Sequence, residues 1–122
     1  MSIEVLLVDE DPDVLDIVAT FLEREDGLSV TTQRDPAAAL EEARSGAYDA
    51  IVSDYTMPGM DGLELCRAVR DEDGSTPFFL FSAREPEDVE PDATAAGVTE
   101  FVQKGTGTEQ YSTLAAHIRD AV

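Results

Sequence analysis

Five short apolar segments alternate along the chain with segments in which apolar residues recur at helical spacing. The apolar segments cover Ile3 to Val8, Leu28 to Thr32, Tyr48 to Ser53, Phe78 to Phe81 and Glu100 to Gln103. The first contains one polar residue, Glu4, among branched apolar residues, which is typical of a strand buried on both faces of a parallel sheet. The pattern therefore predicts five strands, each followed by a helix.

Capping residues and glycines delimit the predicted helices. Asp11-Pro12 and Asp35-Pro36 each place a capping carboxylate before a proline at the first helical position. The predicted helices extend from Pro12 to Gly27, from Ala37 to Arg44, from Leu63 to Arg70, from Glu87 to Ala96, and from a cap at Thr108 onward. Because Pro91 lacks a main-chain N–H, we expect it either to begin the fourth helix or to interrupt it. This alternation predicts one domain, residues 1–122, with helices on both faces of a parallel sheet.

Charge is the unusual feature of the composition. The 27 acidic residues outnumber the eight basic ones, so the net charge is −19. An acidic surface of this size is solvated and screened in concentrated salt, and we expect a high-salt cytoplasm. The chain has no basic stripe for nucleic acid, no apolar run of membrane-spanning length and no signal-peptide pattern. We therefore expect a cytoplasmic protein that neither enters a membrane nor binds nucleic acid directly.

Polar residues follow four of the predicted strands at the point where each ends. Asp9 and Glu10 follow the first strand, Asp54 the third, Ser82 the fourth, and Lys104, the only lysine, the fifth. In an open parallel sheet these ends meet at one edge, where ligands bind. Close carboxylates repel by about 4 kcal/mol per pair at an effective dielectric constant of 20, so a cation is required. Mg²⁺ suits such oxygen ligands, and the set suits a phosphoryl group with a carboxylate as the nucleophile.

Four motifs in this order resemble the receiver domains of two-component response regulators over the whole chain. They are LLVDED at the first strand, IVSDYTMPGMDG at the third, FFLFSA at the fourth and EFVQKG at the fifth. The resemblance implies a flavodoxin-like three-layer α/β sandwich whose five-stranded parallel sheet has the order 2-1-3-4-5. It also implies that Asp54 is the phospho-acceptor. Asp9, Glu10, Asp54 and the main-chain carbonyl of Thr56 are implied to hold Mg²⁺.

The same resemblance implies roles for the later strands. Ser82 and Lys104 correspond to the hydroxyl and the lysine that contact the phosphoryl group. Phe101 corresponds to an aromatic switch residue that acts with Ser82 on the surface of the fourth helix, fifth strand and fifth helix. Receivers usually have a proline, often in a cis peptide, after the lysine, whereas Gly105 stands here. Thr56 and Arg84 flank the expected site, and we expect them to tune the phosphoryl lifetime.

The resemblance further implies the partners. A histidine kinase or phosphotransfer protein donates the phosphoryl group, and an output domain or protein responds. The chain is then a signalling receiver that assists its own phosphorylation and dephosphorylation. Its final 20 residues resemble haloarchaeal receivers, many of which are joined to PAS and kinase modules. Both a stand-alone regulator and a domain of a longer parent, one that carries a kinase module, stay open.

One alternative is an enzyme. Haloacid-dehalogenase-like phosphatases also place Asp-x-Asp after a strand, as in Asp9-Glu10-Asp11, and Asp9 would then be the nucleophile. Pro12 and Asp13 depart from the small or β-branched residues that this family prefers, and 122 residues leave no room for its cap insertion.

Overall fold

The computed structural model describes residues 2–25, 27–72, 74–105 and 107–122. Within these ranges strands and helices alternate, as predicted, from the first strand to the last helix. The elements are β1 (Ile3–Val8), α1 (Pro12–Glu23), β2 (Leu28–Gln33), α2 (Pro36–Arg44), β3 (Ala50–Ser53), α3 (Gly62–Glu72), β4 (Phe78–Ser82), α4 (Pro86–Ala96), β5 (Glu100–Gln103) and α5 (Glu109–Ala121). Each described helix is too short or too polar to cross a lipid bilayer.

The strands form one parallel sheet with the order β2-β1-β3-β4-β5, which confirms the expected fold. Val8 lies opposite Ser53, and Ser82 lies opposite Gln103. Because all neighbours are parallel, the residues that follow these strands reach the same edge of the sheet. The chain reverses its direction of winding between β1 and β3, which places the switch point beside Asp9 and Asp54.

The central strands are buried on both faces. On one face Leu7, Val52 and Phe79 belong to a core cluster that α1 and α5 complete. On the other face Leu6 and Ile51 pack with residues of α2 and α3. Every residue of β3 and β4 is buried, as expected for strands covered by helices on two sides. The apolar layers hold the strand ends in fixed positions at the edge.

The third strand is shorter than predicted. It begins at Ala50 instead of Tyr48. The Asp49 carboxylate accepts the Glu4 N–H at 2.9 Å, while the Asp49 N–H donates to the Glu4 carbonyl at 2.7 Å. The Tyr48 hydroxyl donates to Glu42 at 3.1 Å, on α2. Side-chain bonding of this kind was not visible in the hydrophobic pattern.

Pro91 neither begins nor interrupts its helix, so the prediction for this residue was wrong. Pro86 occupies the first helical position, and α4 continues through Pro91 to Ala96. A proline in the helix interior removes one N–H, here the partner of the Glu87 carbonyl. Glu87 is exposed, so water can satisfy that carbonyl. Burial of Val89 and neighbouring alanines on the opposite side offsets the loss.

Two helix ends also differ from the prediction. The first helix ends at Glu23, before Gly27, which has a φ of +88° in the following turn. Thr108 occupies the capping position of α5, but its side chain makes no capping hydrogen bond. The side chain that contacts this loop is Gln110, the second residue of the helix.

Candidate functional site

Three of the predicted side chains meet at the carboxyl edge of the sheet. The Lys104 Nζ atom lies 3.1 Å from Asp9 Oδ2 and 3.4 Å from Asp54 Oδ1. Asp9 follows β1, Asp54 follows β3 and Lys104 follows β5, so the contact joins residues that are far apart in sequence. One ammonium group therefore faces two carboxylates, with the opposite charges in direct contact.

Asp9 is the most deeply buried acidic residue at this edge, with a relative exposure of 4%. A buried carboxylate is stable only when its oxygens have partners. Its Oδ1 accepts the Asp11 N–H at 3.0 Å, and its Oδ2 accepts from Lys104. The Asp11 carboxylate in turn accepts the Asp13 N–H at 2.9 Å and caps α1, as predicted. The acidic turn after β1 is thus fixed at both ends.

Asp54 is partly buried, and its Oδ1 accepts the Tyr55 N–H at 2.8 Å. Burial is the main cause that raises the pKa of Asp54 above its ordinary value of 3.8. Lys104 and the Tyr55 N–H act in the opposite direction, while the Asp9 charge raises the pKa further. The pKa stays raised because desolvation outweighs the contacts that favour the charged form.

Ser82 and Lys104 are held together by the sheet. The Lys104 N–H donates to the Ser82 carbonyl at 2.8 Å, and the Ser82 hydroxyl accepts the Arg84 N–H at 3.3 Å. The Lys104 ammonium also lies 5.5 Å from the centre of the Phe81 ring, within the range of a cation–π contact. Ser82 is buried beside the Lys104 main chain, as expected for the residue that ends β4.

The loop after Asp54 depends on Gly62, a residue for which the sequence pattern indicated no role. A Cβ atom at Gly62 would overlap the Asp54 main-chain oxygen and lie 2.8 Å from Leu80 Cδ1. The Gly62 N–H donates to the Tyr55 carbonyl at 2.7 Å. The close approach of α3 to the acceptor loop therefore requires glycine at this position.

A reciprocal cap fixes the start of the same helix. The Asp61 carboxylate accepts the Glu64 N–H at 2.8 Å, and the Glu64 carboxylate accepts the Asp61 N–H at 3.1 Å. The Asp-x-x-Glu spacing is the sequence signal that predicts such a cap.

Arg84 links the two loops that border the site. Its guanidinium group lies 4.4 Å from the centre of the Tyr55 ring, and its Nη2 donates to the Thr56 hydroxyl at 3.4 Å. Arg84 and Thr56 are both exposed, so this link lies at the solvent-facing side of the site. Both residues were predicted to flank the site, and in the structure their side chains contact each other directly.

Glu10 does not join the contact between Asp9, Lys104 and Asp54. It is exposed, and its main-chain carbonyl accepts from Arg34 Nε at 3.2 Å. Across the described ranges, no three His, Cys, Asp or Glu side chains are grouped to hold a metal ion. Asp9 and Asp54 nevertheless supply carboxylate oxygens that converge on one cation, and Mg²⁺ is commonly held by one or two carboxylates. The donor set thus fits Mg²⁺ at these two residues.

Phe101 lies apart from this group. It is half-buried opposite Leu80 and packs against a cluster that includes Leu63 and Val89. A cavity of about 150 Å³ between α4 and β5 is lined by Phe101 and by Glu90 and Glu100, among others. Lys104 contacts Phe81, which belongs to the core on the other face of the sheet. Phe101 and Lys104 therefore lie on opposite faces of the sheet, in agreement with their separation of three residues along a chain whose side chains alternate between faces.

The chain is similar to known proteins over most of its length. The family described as "Response regulator receiver domain" matches residues 5–116. The transcriptional regulatory protein PrrA of Mycobacterium tuberculosis is 38% identical over 103 residues, covering 84% of this chain and 44% of that protein. The uncharacterized transcriptional regulatory protein YkoG of Bacillus subtilis is 30% identical over 118 residues, covering 97% of this chain and 50% of that protein. The chain spans about half the length of these relatives.

Solved structures show the same architecture. The chemotaxis response regulator CheY4 of Vibrio cholerae aligns with a TM-score of 0.86 and 28% identity, covering 97% of this chain and 99% of that chain. The receiver domain of the sensor histidine kinase PA1611 from Pseudomonas aeruginosa aligns with a TM-score of 0.83 over 98% of this chain and 99% of that chain. That structure has a magnesium ion coordinated in its active site cleft. At 23% identity, it supports the fold alone.

The raised pKa of Asp54 predicts that this carboxylate destabilises the fold once it is ionised. A group with a raised pKa in the folded state contributes stability below its unfolded pKa and loses it as the pH rises through the folded pKa. We expect Asp54→Asn to raise the free energy of unfolding at pH 7, and the gain to shrink as the pH falls toward 3.8. Urea unfolding from pH 4 to pH 8, in constant KCl without Mg²⁺, measures this difference.

Asp16→Asn is the matched control, because Asp16 is exposed on α1 and its replacement removes the same charge. An Asp54→Asn gain at pH 7 no larger than that of Asp16→Asn would contradict this account. So would a gain that does not change with pH.

Proposed function

The chain belongs to the response regulator receiver family, and from this premise we propose that Asp54 accepts the phosphoryl group that switches the protein. The observation that carries the proposal is the shared contact of Lys104 with Asp54 and Asp9. An Asp54 oxygen would form a bond to phosphorus while the phosphorus–nitrogen bond of a phosphohistidine breaks. The imidazole nitrogen keeps the electron pair and takes up a proton. The family match favours this assignment over the phosphatase alternative, in which Asp9 attacks.

Lys104 and Ser82 have complementary parts in this step. Lys104 already lies within 3.4 Å of an Asp54 oxygen, so its charge can stabilise the phosphoryl oxygens without a large movement. We assign the Ser82 hydroxyl to a second contact with those oxygens. In the unphosphorylated chain that hydroxyl accepts the Arg84 N–H, and it keeps its own proton for donation.

We further propose that Asp9, Glu10, Asp54 and the Thr56 carbonyl hold Mg²⁺ when phosphorylation occurs. The bound ion would neutralise part of the carboxylate charge and of the charge on the transferring oxygens. Support comes from the two carboxylates that converge at the sheet edge. Asp9 keeps its position through the Asp11 N–H whether or not its other oxygen is bound to Lys104.

We propose that Phe101 and Ser82 couple this site to the surface formed by α4, β5 and α5. Phe101 is only half-buried and borders the cavity beside Glu90, so its ring has space next to it. Movement of the Ser82 hydroxyl toward a phosphoryl group would break its hydrogen bond with the Arg84 N–H, in the segment that leads into α4. The coupling is a shift between two states of this segment.

The partners follow from this role. A histidine kinase or phosphotransfer protein is the donor, and an output domain or a separate protein reads the altered surface. We propose that residues 1–122 act as one receiver domain in the cytoplasm and assist their own phosphorylation and dephosphorylation. A net charge of −19 disfavours direct contact with nucleic acid, although PrrA and YkoG are transcriptional regulatory proteins. A longer parent with a kinase module stays a proposal.

Phosphorylation of Asp54 is tested with acetyl phosphate. We expect Mg²⁺-dependent modification, because the Asp54 carboxylate is the nucleophile and its neighbours balance the added charge. Borohydride trapping followed by peptide mass mapping identifies the modified residue. Asp54→Asn should lose the label, and chelation of Mg²⁺ should abolish it. A label on Asp9 would support the phosphatase alternative, and an unlabelled chain would refute the proposal.

We propose that the acidic surface adapts the protein to high salt. The relatives named above are bacterial, so this proposal depends on the net charge of −19 and on the haloarchaeal resemblance of the final 20 residues. Repulsion among surface charges weakens as the Debye length falls from about 8 Å at 0.15 M salt to about 3 Å at 1 M.

Thermal melts in increasing KCl test this proposal. We expect the melting temperature to continue to rise between about 0.15 M and about 1 M salt. A variant of α4 is compared with the wild type. It combines Glu87→Gln, Glu90→Gln and Asp92→Asn and so removes three exposed negative charges. That variant should depend less on salt. A melting temperature that stays constant above about 0.15 M would contradict the proposal.

A further inference from the structure

One side chain closes the loop that follows Lys104. Gln110 Nε2 donates to the Gly105 carbonyl and to the Gly107 carbonyl, each at 2.9 Å. Gln110 Oε1 accepts the Gly105 N–H at 3.0 Å. Both main-chain polar groups of Gly105 are therefore bound by a single amide.

The loop after Lys104 lacks the backbone restraint that a proline would provide. Gly105 stands where receivers usually have proline, and no peptide bond is cis within the ranges that the structure describes. Gly105 is exposed, and a Cβ atom built on it would have no atom within 4 Å. Glycine loses more backbone freedom on ordering than any other residue. Some other group must therefore restrain the main chain directly after Lys104.

We propose that Gln110 is a positioning residue that holds Lys104 against Asp9 and Asp54. The main chain of Lys104 is fixed on its upstream side by the bond from its N–H to the Ser82 carbonyl, at 2.8 Å. Gln110 fixes the next residue, Gly105. With both sides held, the ammonium group stays where its contacts are 3.1 Å and 3.4 Å long.

The helix that carries Gln110 makes a rigid anchor. In α5, Leu114, Ala115 and Ile118 are buried in the core, and each is at most 1% exposed. Gln110 itself is half-buried at the first turn of this helix. Its amide can therefore restrain the loop at the cost of ordering one side chain.

If the role of Gln110 were purely structural, the residue would stabilise only the loop and the start of α5. In that case loss of the amide would lower stability and leave the Lys104 ammonium as it is. The proposal instead requires that the ammonium become less restrained. Because Lys104 is the only lysine, an amine-reactive reagent with peptide mapping reports on this single side chain.

The experiment compares Gln110→Ala and Gln110→Glu with Ser112→Ala, an exposed control on the same helix. Gln110→Glu keeps an oxygen for the Gly105 N–H but loses both donated bonds, so it covers the case in which the alanine variant fails to fold. In both Gln110 variants we expect faster modification of Lys104. We also expect phosphorylation from acetyl phosphate to slow by roughly tenfold to a hundredfold, since a misplacement of about 1 Å can cost ~10²-fold.

The proposal would be overturned if both Gln110 variants showed the same rates of Lys104 modification and of phosphorylation as the wild type. Rates that change only in proportion to a lower melting temperature would overturn it as well. The phosphorylation arm rests on the proposed function, whereas the modification arm does not. Absence of label on wild-type Asp54 would count against that function, while the reactivity of Lys104 would still decide the role of Gln110.

Discussion

A single ammonium group balances two carboxylates at the edge of this sheet. Parallel strands bring the residues after β1, β3 and β5 to the same edge, so Asp9 and Asp54 come close. Without Lys104 the carboxylates would face each other in a partly buried site, at a cost of about 4 kcal/mol for a separation of 4 Å at an effective dielectric constant of 20. The other features of the site hold these three groups in place: Gly62 lets α3 approach, Asp11 orders the acidic turn, and the sheet fixes Lys104.

The burial that positions Asp54 also disfavours the charged form of its carboxylate. Burial raises the pKa of Asp54, so the fold that positions this residue disfavours the charged form that the proposed nucleophilic attack requires. Lys104 opposes this effect directly, and Asp9 adds to it. A metal ion or a phosphoryl group would change this balance most strongly at Asp54.

The alternation of five apolar segments with helical segments predicted a parallel sheet whose strand ends bring Asp9, Asp54 and Lys104 together. The strand order was implied by the family resemblance and is confirmed by the structure. The sequence did not predict that β3 begins at Ala50, where both the carboxylate and the N–H of Asp49 bond to the Glu4 main chain. It also did not predict that α4 continues through Pro91, where the buried face of the helix compensates for one missing hydrogen bond. Such contacts depend on distances between elements, which periodicity does not contain.

The loop after Lys104 shows the same limit. Thr108 was predicted to cap α5, yet its side chain makes no capping hydrogen bond. Gln110 instead bonds the loop, accepting one hydrogen bond and donating two. Gln110 and the loop lie only a few residues apart, so their proximity in the sequence was evident. The loop conformation that brings the amide to the Gly105 main chain could not be predicted from that proximity.

A double-mutant cycle between Asp9 and Lys104 tests the central claim most directly. Unfolding free energies of wild type, Asp9→Asn, Lys104→Met and the double variant would be measured without Mg²⁺ at pH 7. The account predicts a favourable coupling of about 0.5–3 kcal/mol, larger than that of the exposed pair Glu25 and Arg119 measured in the same way. A coupling of zero, or one no larger than that of the surface pair, would contradict it.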